Sequence, residues 1–380
     1  MNTALNFEEF TQFVASPPKP PDESWQAAFL RVKPGEGEWF FALCRERRIA
    51  VVDSIDRQLA DLSVVRLPSE EARSGRESFI EEAVATSGGR ASYGTWVYFP
   101  WEAKVVHLLN ADDYFDVITN RNQDKITKDE QRELRGKRVG VVGLSVGSEA
   151  AVAVAQEHLC GEILLADFDR LDLSNLNRLH AGCDELGLLK TTIAARRIIK
   201  IDPYLKITVF EDGVTPANAG QFLDELDLLI EECDNPQIKR EVRLLAKERG
   251  INVVYAADER GFFSVEPYRD FPELLPFHGR AERPQPSREG HPTPLAFFRT
   301  LSEWIGGWEN LSERTRNSLV KIGEELCGYP QLASEARYAA GQIGHVARRL
   351  LLGEKVPPYC GNLDFYEFIP PTHLPFEAEV

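Results

Sequence analysis

The chain has 380 residues, 43% hydrophobic and 27% charged, which is enough for roughly two domains and an ordinary composition for a globular protein. Its 44 Lys+Arg against 60 Asp+Glu leave a formal charge of −16, which argues against non-specific binding to DNA or an anionic membrane and still allows a local basic pocket. Six cysteines (Cys44, Cys160, Cys183, Cys233, Cys327, Cys360) show no C-x-x-C spacing. No structural zinc site is therefore expected, and sparse cysteines fit a reducing compartment.

The N-terminal "MNTALNFEEFTQF" is acidic and lacks the apolar core of a signal peptide. No run approaches the roughly 20 apolar residues of a membrane span, so a cytoplasmic protein is expected. "ASPPKPPDESW" (Ala15–Trp25) reads as an extended proline-rich segment. From about Arg48 to Leu62, the spacing of Val51, Ile55, Leu59 and Leu62 predicts one face of a helix. "TWVYFPWEAKVVHLL" (Thr95–Leu109) reads as two strands with a turn near Pro100–Ala103. Residues 1–115 are thus a mixed α/β region with no chemistry beyond packing.

After a charged approach helix, "DKITKDEQRELRGK", the pattern changes. "RVGVVGL", "GEILLADFD", "KITVFED", "DLLIEECD" and "INVVYAA" are strand-like, and helical stretches separate them. Strands that read as continuous apolar runs alternating with helices predict a doubly wound, mainly parallel sheet over residues 116–270. Ligands of such sheets sit beyond the carboxyl ends of the strands. The rest, 271–380, begins with a proline- and charge-rich loop over about Phe271–Arg288. It then becomes largely helical, most clearly over Ser334–Gly353, and "YCGNLDFYEFIPPTHLPF" at the end suggests a strand and a docking segment.

Chemistry concentrates at the strand ends. "VGLSVGS" (Val142–Ser148) joins the first of these strands to a helix, where glycines let backbone N–H groups approach a phosphate. Counted from Gly143, the later glycine positions of G-x-G-x-x-G fall on Ser145 and Ser148. By itself this is equally a tight strand–helix turn. Asp167 closes the second strand, where an acid commonly accepts hydrogen bonds from ribose hydroxyls. Asn175, Asn177 and Arg178 follow directly, and Lys190 opens the next helix. Such a row suits a triphosphate, whose charges need cations and donors; a dinucleotide would leave it idle. Asp234 ends the fourth strand, on a strand taken to neighbour that of Asp167. It is placed to hold Mg²⁺ against phosphates or, with Asn235, to cap the following helix.

The ordered set Gly143-x-Ser145-x-Gly147-Ser148, Asp167-Phe168-Asp169, Ser174-Asn175-Leu176-Asn177-Arg178, Lys190 and Asp234-Asn235 resembles the adenylating domain of the ThiF/MoeB and ubiquitin-activating-enzyme superfamily. The likeness covers about Asn120 to Pro267. It implies a Rossmann-like ATP-binding fold in which Asp167 takes the ribose. Asn175, Asn177, Arg178 and Lys190 would contact the phosphates, and Asp234 would coordinate magnesium. It also implies that Arg121, in "NRNQ", reaches the partner subunit's site, making the protein a homodimer. "YGTWVYFPW" and "DERGFFSVEPY…HGR" are similar to bacterial ThiF-like proteins sometimes fused to a nitroreductase-like domain; no flavin domain is expected within these 380 residues.

The implied reaction is attack of a carboxylate on the α-phosphate of MgATP, giving an acyl-adenylate and pyrophosphate. The acceptor would be the C-terminus of a small ubiquitin-like or sulfur-carrier protein, a peptide, or a small-molecule or tRNA-borne carboxylate, with the acidic surface counting against tRNA. No carrier cysteine lies in the loop where related enzymes keep one, and Cys183 is the cysteine that the sequence places nearest the pocket besides Cys233. Direct transfer without a covalent enzyme intermediate is therefore expected. The alternatives are an NAD-dependent oxidoreductase, which leaves Asn177, Arg178, Lys190 and Asp234 without a role, and a catalytically degenerate nucleotide-binding scaffold.

Overall fold

The computed structural model describes residues 4–15, 23–282, 298, 301–304 and 306–365. Most of the Ala15–Trp25 segment, the second part of the Phe271–Arg288 loop and the tail beyond Phe365 lie outside these residues. The chain divides into two compact units, one of residues 1–132 and 195–206, the other of residues 133–194 and 207–380.

The first unit holds a four-stranded sheet of β1 (Ala28–Leu30), β2 (Ala50–Asp53), β3 (Thr95–Phe99) and β4 (Lys104–Leu108), ordered β1-β3-β4-β2. Strands β3 and β4 form the expected antiparallel pair, and Ala103 makes the turn in a left-handed conformation. Phe10, Phe40, Trp96, Tyr98 and Val105 form its core. The helix expected from about Arg48 is corrected here. Residues 50–53 are strand β2, parallel to β4, and the helix runs Ile55–Arg66. Val51 and Val52 are β-branched and pair along β4. Asp53 then turns the chain, its Oδ1 accepting from the Ile55 amide at 3.2 Å. Only Ile55, Leu59 and Leu62 of the expected stripe face a core.

The second unit is built on a seven-stranded sheet. Its strands are β5 (Arg138–Val142), β6 (Glu162–Ala166), β7 (Lys206–Phe210), β8 (Leu228–Glu231), β9 (Asn252–Ala256), β10 (Phe262–Glu266) and β11 (Tyr359–Asn362), ordered β11-β10-β9-β8-β5-β6-β7. β5 is parallel to both β6 and β8, and β8 is parallel to β9. β10 and β11 extend the edge in antiparallel fashion. Burial on both faces explains the apolar runs, since β5, β6, β8 and β9 are almost wholly buried. The helix Val146–Gln156 is rich in alanine and buried along most of its length. The C-terminal helix Ala333–Leu351 packs on it, with Gly344 facing Ala153 and Arg348 paired to Glu157 at 3.1 Å.

The strand order corrects one expectation. The strands ending near Asp167 and Asp234, β6 and β8, are not neighbours, because β5 runs between them. The chain winds outward from β5 to β6 and β7, then returns to the other side of β5 for β8. That reversal opens a crevice at the carboxyl ends of β5 and β8.

Candidate functional site

A cavity of about 1420 Å³ lies at these carboxyl ends. Residues following each of the five strands β5 to β9 line it: Gly143–Val146, Asp167–Arg170, Asp212–Pro216, Glu232–Asn235 and Ala257–Asp258. The loop of Ser174, Asn175, Asn177 and Arg178 lines it, as does Lys190. The C-terminal part contributes Leu301, Leu311, Leu319, Ile322 and Cys327–Gln331.

The turn after β5 is dictated by close approach. Gly143 has φ +84°, and a Cβ there would lie 2.6 Å from the Glu232 carbonyl carbon and oxygen and 2.7 Å from the Cys233 nitrogen. Only glycine lets β5 and the end of β8 touch at the switch point. Gly147 and Ser148 stand behind this wall and do not line the cavity. A Cβ on Gly147 would lie 3.1 Å from Val141 and 3.2 Å from Glu232, so it serves helix–sheet packing. Ser148 Oγ donates to the Ser145 carbonyl at 3.0 Å.

Asp167 pins the turns together. Its Oδ2 accepts from the Leu144 amide at 2.6 Å and its Oδ1 from the Asp169 amide at 2.8 Å. Burial raises its pKa, opposed by those amides and by the Lys190 charge. Each oxygen keeps a second lone pair for a ribose hydroxyl. Lys190 is buried and its Nζ donates to Asp169 Oδ2 at 2.7 Å, so both residues stand at the wall as a pair.

The Asn-rich loop holds its own shape. Asn175 is buried and its Oδ1 accepts from the Asp172 amide at 3.0 Å, closing the turn Leu173–Asn175. Asn177 Nδ2 donates to the Gln331 carbonyl at 2.8 Å and so ties the loop to the C-terminal part. Arg178 donates to Ser145 Oγ, the Ser174 carbonyl and Asn177 Oδ1 at 3.3, 3.1 and 2.8 Å. Burial lowers its pKa, opposed by Asp258.

Asp234 is exposed at the cavity, and Asn235 caps the helix Pro236–Glu248 by accepting from the Gln237 and Ile238 amides. A buried four-charge network stands behind this loop. Glu231 binds Lys239 at 2.8 Å and also Arg243, and Arg243 binds Glu266 at 2.7 Å. Glu231 Oε1 accepts from the Cys233 amide at 2.9 Å, so the network shapes the backbone just before Asp234. Burial, reinforced by Glu231, pushes the Cys233 thiol well up, and burial does the same to the Glu232 carboxyl.

Arg121 lies in the first unit, in the turn Asn120–Asn122. Cys183 is exposed in the crossover loop and is not among the lining residues, whereas Cys233 and Cys327 are. Cys327, which the sequence does not place near the pocket, arrives from the C-terminal part, far along the chain, and lines it. Sequence reasoning also missed Asp258, Tyr329 and Gln331. For Asp258 the signal was present, an acid just past an apolar strand in "VVYAADE"; for the others no local pattern existed.

The ThiF family profile matches residues 119–262. The chain is 36% identical over 337 residues to an uncharacterized protein, MT1398, of Mycobacterium tuberculosis, which covers 88% of this chain and 45% of that protein. It is 31% identical over 131 residues to tRNA threonylcarbamoyladenosine dehydratase of Haemophilus influenzae (34% and 50% covered). It is 27% identical over 187 residues to ubiquitin-like modifier-activating enzyme 5 of Drosophila melanogaster (46% and 45% covered). Among solved structures, the E. coli tRNA N6-threonylcarbamoyladenosine dehydratase TcdA aligns at TM-score 0.44 and 20% identity, over 62% of this chain and 94% of that one. The chain spans half or less of the length of these curated relatives. With the motif set gathered at the ends of a doubly wound sheet and the profile matched over the same stretch, this chain carries a ThiF-family domain at residues 119–262.

Proposed function

We propose that the protein is an ATP-dependent adenylyltransferase that activates a carboxylate as an acyl-adenylate. The observation that supports this most is the convergence of Asp167, Arg178, Lys190 and Asp234 on one cavity at the switch point of a ThiF-family sheet. The free lone pairs of Asp167 take the ribose hydroxyls. Arg178 and Lys190 neutralise the phosphates; Lys190 gives up Asp169 for a phosphate oxygen as the nucleotide enters. Asn175 and Asn177 act by holding the loop that presents Arg178, and Ser145 by orienting the guanidinium.

Among the described residues no cluster of three His, Cys, Asp or Glu could cage a metal ion. An exposed Asp234 instead fits Mg²⁺ carried in on the nucleotide, which keeps its waters and takes one or two carboxylates besides phosphate oxygens. When bound, the ion would offset charge on the phosphates. The attacking carboxylate is already ionised at neutral pH and needs no base, so these residues accelerate the reaction by positioning and charge neutralisation. The acceptor is a carboxylate of a ubiquitin-like or sulfur-carrier protein, a peptide or a small molecule, and the working form is a homodimer in which Arg121 serves the partner's site.

The test is nucleotide titration followed by ATP–pyrophosphate exchange with candidate carboxylates. MgATP should bind and NAD should not. Asp234→Asn should keep the fold and lose magnesium-dependent exchange by at least 100-fold. Full exchange in that variant, or NAD binding in place of ATP, would overturn the reading.

A further inference from the structure

The cavity at the strand ends exceeds what one nucleotide needs. Pockets for single small ligands commonly hold about 300–1,000 Å³, against about 1420 Å³ here. Asp167, Asp169, Arg178, Lys190 and Asp234 belong to its charged lining, and all of them come from the strand ends and the segments that follow. The C-terminal part contributes the opposite. Between Phe298 and Gln331 the chain carries acids and bases such as Glu309, Arg314, Arg316, Lys321 and Glu325. Among the described residues of this stretch, none of the charged ones lines the cavity. Phe298, Leu301, Leu311, Leu319, Ile322 and Tyr329 line it instead, with the Phe298 and Tyr329 rings stacked at 6.0 Å. A phosphate gains nothing from such a wall, whereas an apolar body that covers it is removed from water.

The strand order says which end of the cavity the wall serves. The wall is anchored on the turn after β9: the Ser312 amide donates to Glu259 at 2.6 Å, Arg260 donates to the Asn310 carbonyl at 3.1 Å, and the Gln331 side chain hydrogen-bonds to Asp258. Asp167 follows β6, three strands away in the order β9-β8-β5-β6, which is roughly 14 Å at strand spacing. With the ribose on Asp167 and the phosphates directed to Asp234 after β8, the base falls on the other side of the ribose, over the turn after β7. The wall therefore lies beyond the phosphates, on the side open to the attacking carboxylate. Arg178 stands at the seam, donating to Asn177 Oδ1 at 2.8 Å, while Asn177 is tied to the Gln331 carbonyl at 2.8 Å. Polar groups of the wall are already engaged, Gln331 with Asp258 and Asn177 and the Tyr329 hydroxyl with Thr315. Peptide amides laid against it would give up water without gaining these partners.

We propose that the acceptor is a small carboxylic acid with an aliphatic or aromatic body, seated with that body on the C-terminal wall and its carboxylate beside Arg178. This rests on the adenylation reading above and narrows it, setting aside a glycine-rich or otherwise polar peptide tail. One carboxylate oxygen attacks the α-phosphorus and forms the new P–O bond. The bond from the α-phosphorus to the bridging oxygen breaks, its electron pair leaving on pyrophosphate. Acyl-adenylate and pyrophosphate result, and no proton, oxidant or reductant is needed.

The test uses octanoate and N-acetylglycylglycine, two monoanionic carboxylates of equal chain length, one with an apolar body and one with a peptide body. Calorimetric titrations of the full chain are run with Mg²⁺ and α,β-methylene-ATP present, which cannot release pyrophosphate. The wild type should bind octanoate at least tenfold more tightly than N-acetylglycylglycine. Each buried methylene favours binding roughly fourfold, so two of them suffice. Leu311→Gln and Ile322→Gln should each lose at least fivefold for octanoate and bind the nucleotide as the wild type does. Equal binding of the two probes, tighter binding of N-acetylglycylglycine, no binding of octanoate, or unchanged octanoate binding in either variant would each overturn the substrate class. Should the variants not fold, the comparison of probes on the wild type decides alone. Absence of nucleotide binding to the wild type would overturn the adenylation reading instead, whatever the carboxylates do.

Discussion

Gly143→Ala probes the junction on which the site depends. The new methyl would sit 2.6 Å from the Glu232 carbonyl group and 2.7 Å from the Cys233 nitrogen. These are backbone atoms at the end of β8, so no side-chain rotation relieves the clash. Holding φ at +84° costs an L-residue roughly 1–2 kcal/mol. Forcing a methylene into a tight core costs about 1–3 kcal/mol more. The lower entropy of the unfolded alanine chain offsets about 0.4–1 kcal/mol of this. The net loss is about 1–4.6 kcal/mol, a fall in Tm of roughly 3–15 °C for a unit of this size. Gly147→Ala is the internal comparison. Its Cβ meets the Val141 and Glu232 side chains at 3.1 and 3.2 Å, and its φ is not positive, so it should cost less than about 1.5 kcal/mol. Scanning calorimetry of both variants reads the difference. A Tm within 2 °C of wild type for Gly143→Ala, or a larger fall for Gly147→Ala, would refute the close-approach account. Where the variant still folds, β8 is pushed outward and MgATP affinity should drop at least tenfold, since Asp234 follows the displaced backbone.

Glu231→Gln would take from buried Lys239 the carboxylate it pairs with and leave buried Arg243 paired with Glu266; unfolding free energy by urea should fall by about 3–5 kcal/mol, and a loss below 1 kcal/mol would show the network to be replaceable. Burial raises Asp258 to about 6 and Glu335 to about 7, so the folded state holds these protons more tightly than the unfolded chain. Stability from them is therefore fully present below about pH 4 and lost as pH rises to about 7. Asp258→Asn should remove a slope worth on the order of 3 kcal/mol, seen in Tm against pH; an unchanged slope would contradict the burial of that carboxyl. Iodoacetamide should label exposed Cys183 and Cys327 and spare buried Cys44 and Cys160, and MgATP with an acceptor should protect Cys327 alone; protection of Cys183 instead would contradict the geometry of the cavity. Cys183→Ala, Cys327→Ala and Cys360→Ala should each keep product formation within twofold, and loss of product with pyrophosphate exchange intact would reveal a carrier thiol. Arg121→Ala mixed with Arg178→Ala should recover part of the activity through hybrid dimers; an active strict monomer would rule out a shared site.

The parallel sheet was legible from the sequence because two-sided burial writes itself locally, as apolar runs such as Val139–Val142 and Ile163–Ala166. The switch-point residues were legible too, since strand ends and helix starts carry Asp167, Lys190 and Asp234 at readable places. The helix expected from Arg48 was misplaced because β-branched Val51 and Val52 happen to match a helical stripe, and only pairing with β4 decides for a strand. Strand order likewise depends on which edges meet: Asp167 and Asp234 are separated by β5, a fact no local pattern contains. The individual jobs of the asparagines, Asn175 closing its own turn and Asn177 reaching Gln331, also needed the folded loop. What the tertiary structure alone decided is the far wall of the cavity. Cys327, Tyr329 and Gln331 arrive there because the C-terminal helix packs along Val146–Gln156 and carries the preceding segment across the strand ends, a contact between residues remote in sequence, made where Gly344 faces Ala153 and Arg348 pairs with Glu157, and marked by no motif in either stretch.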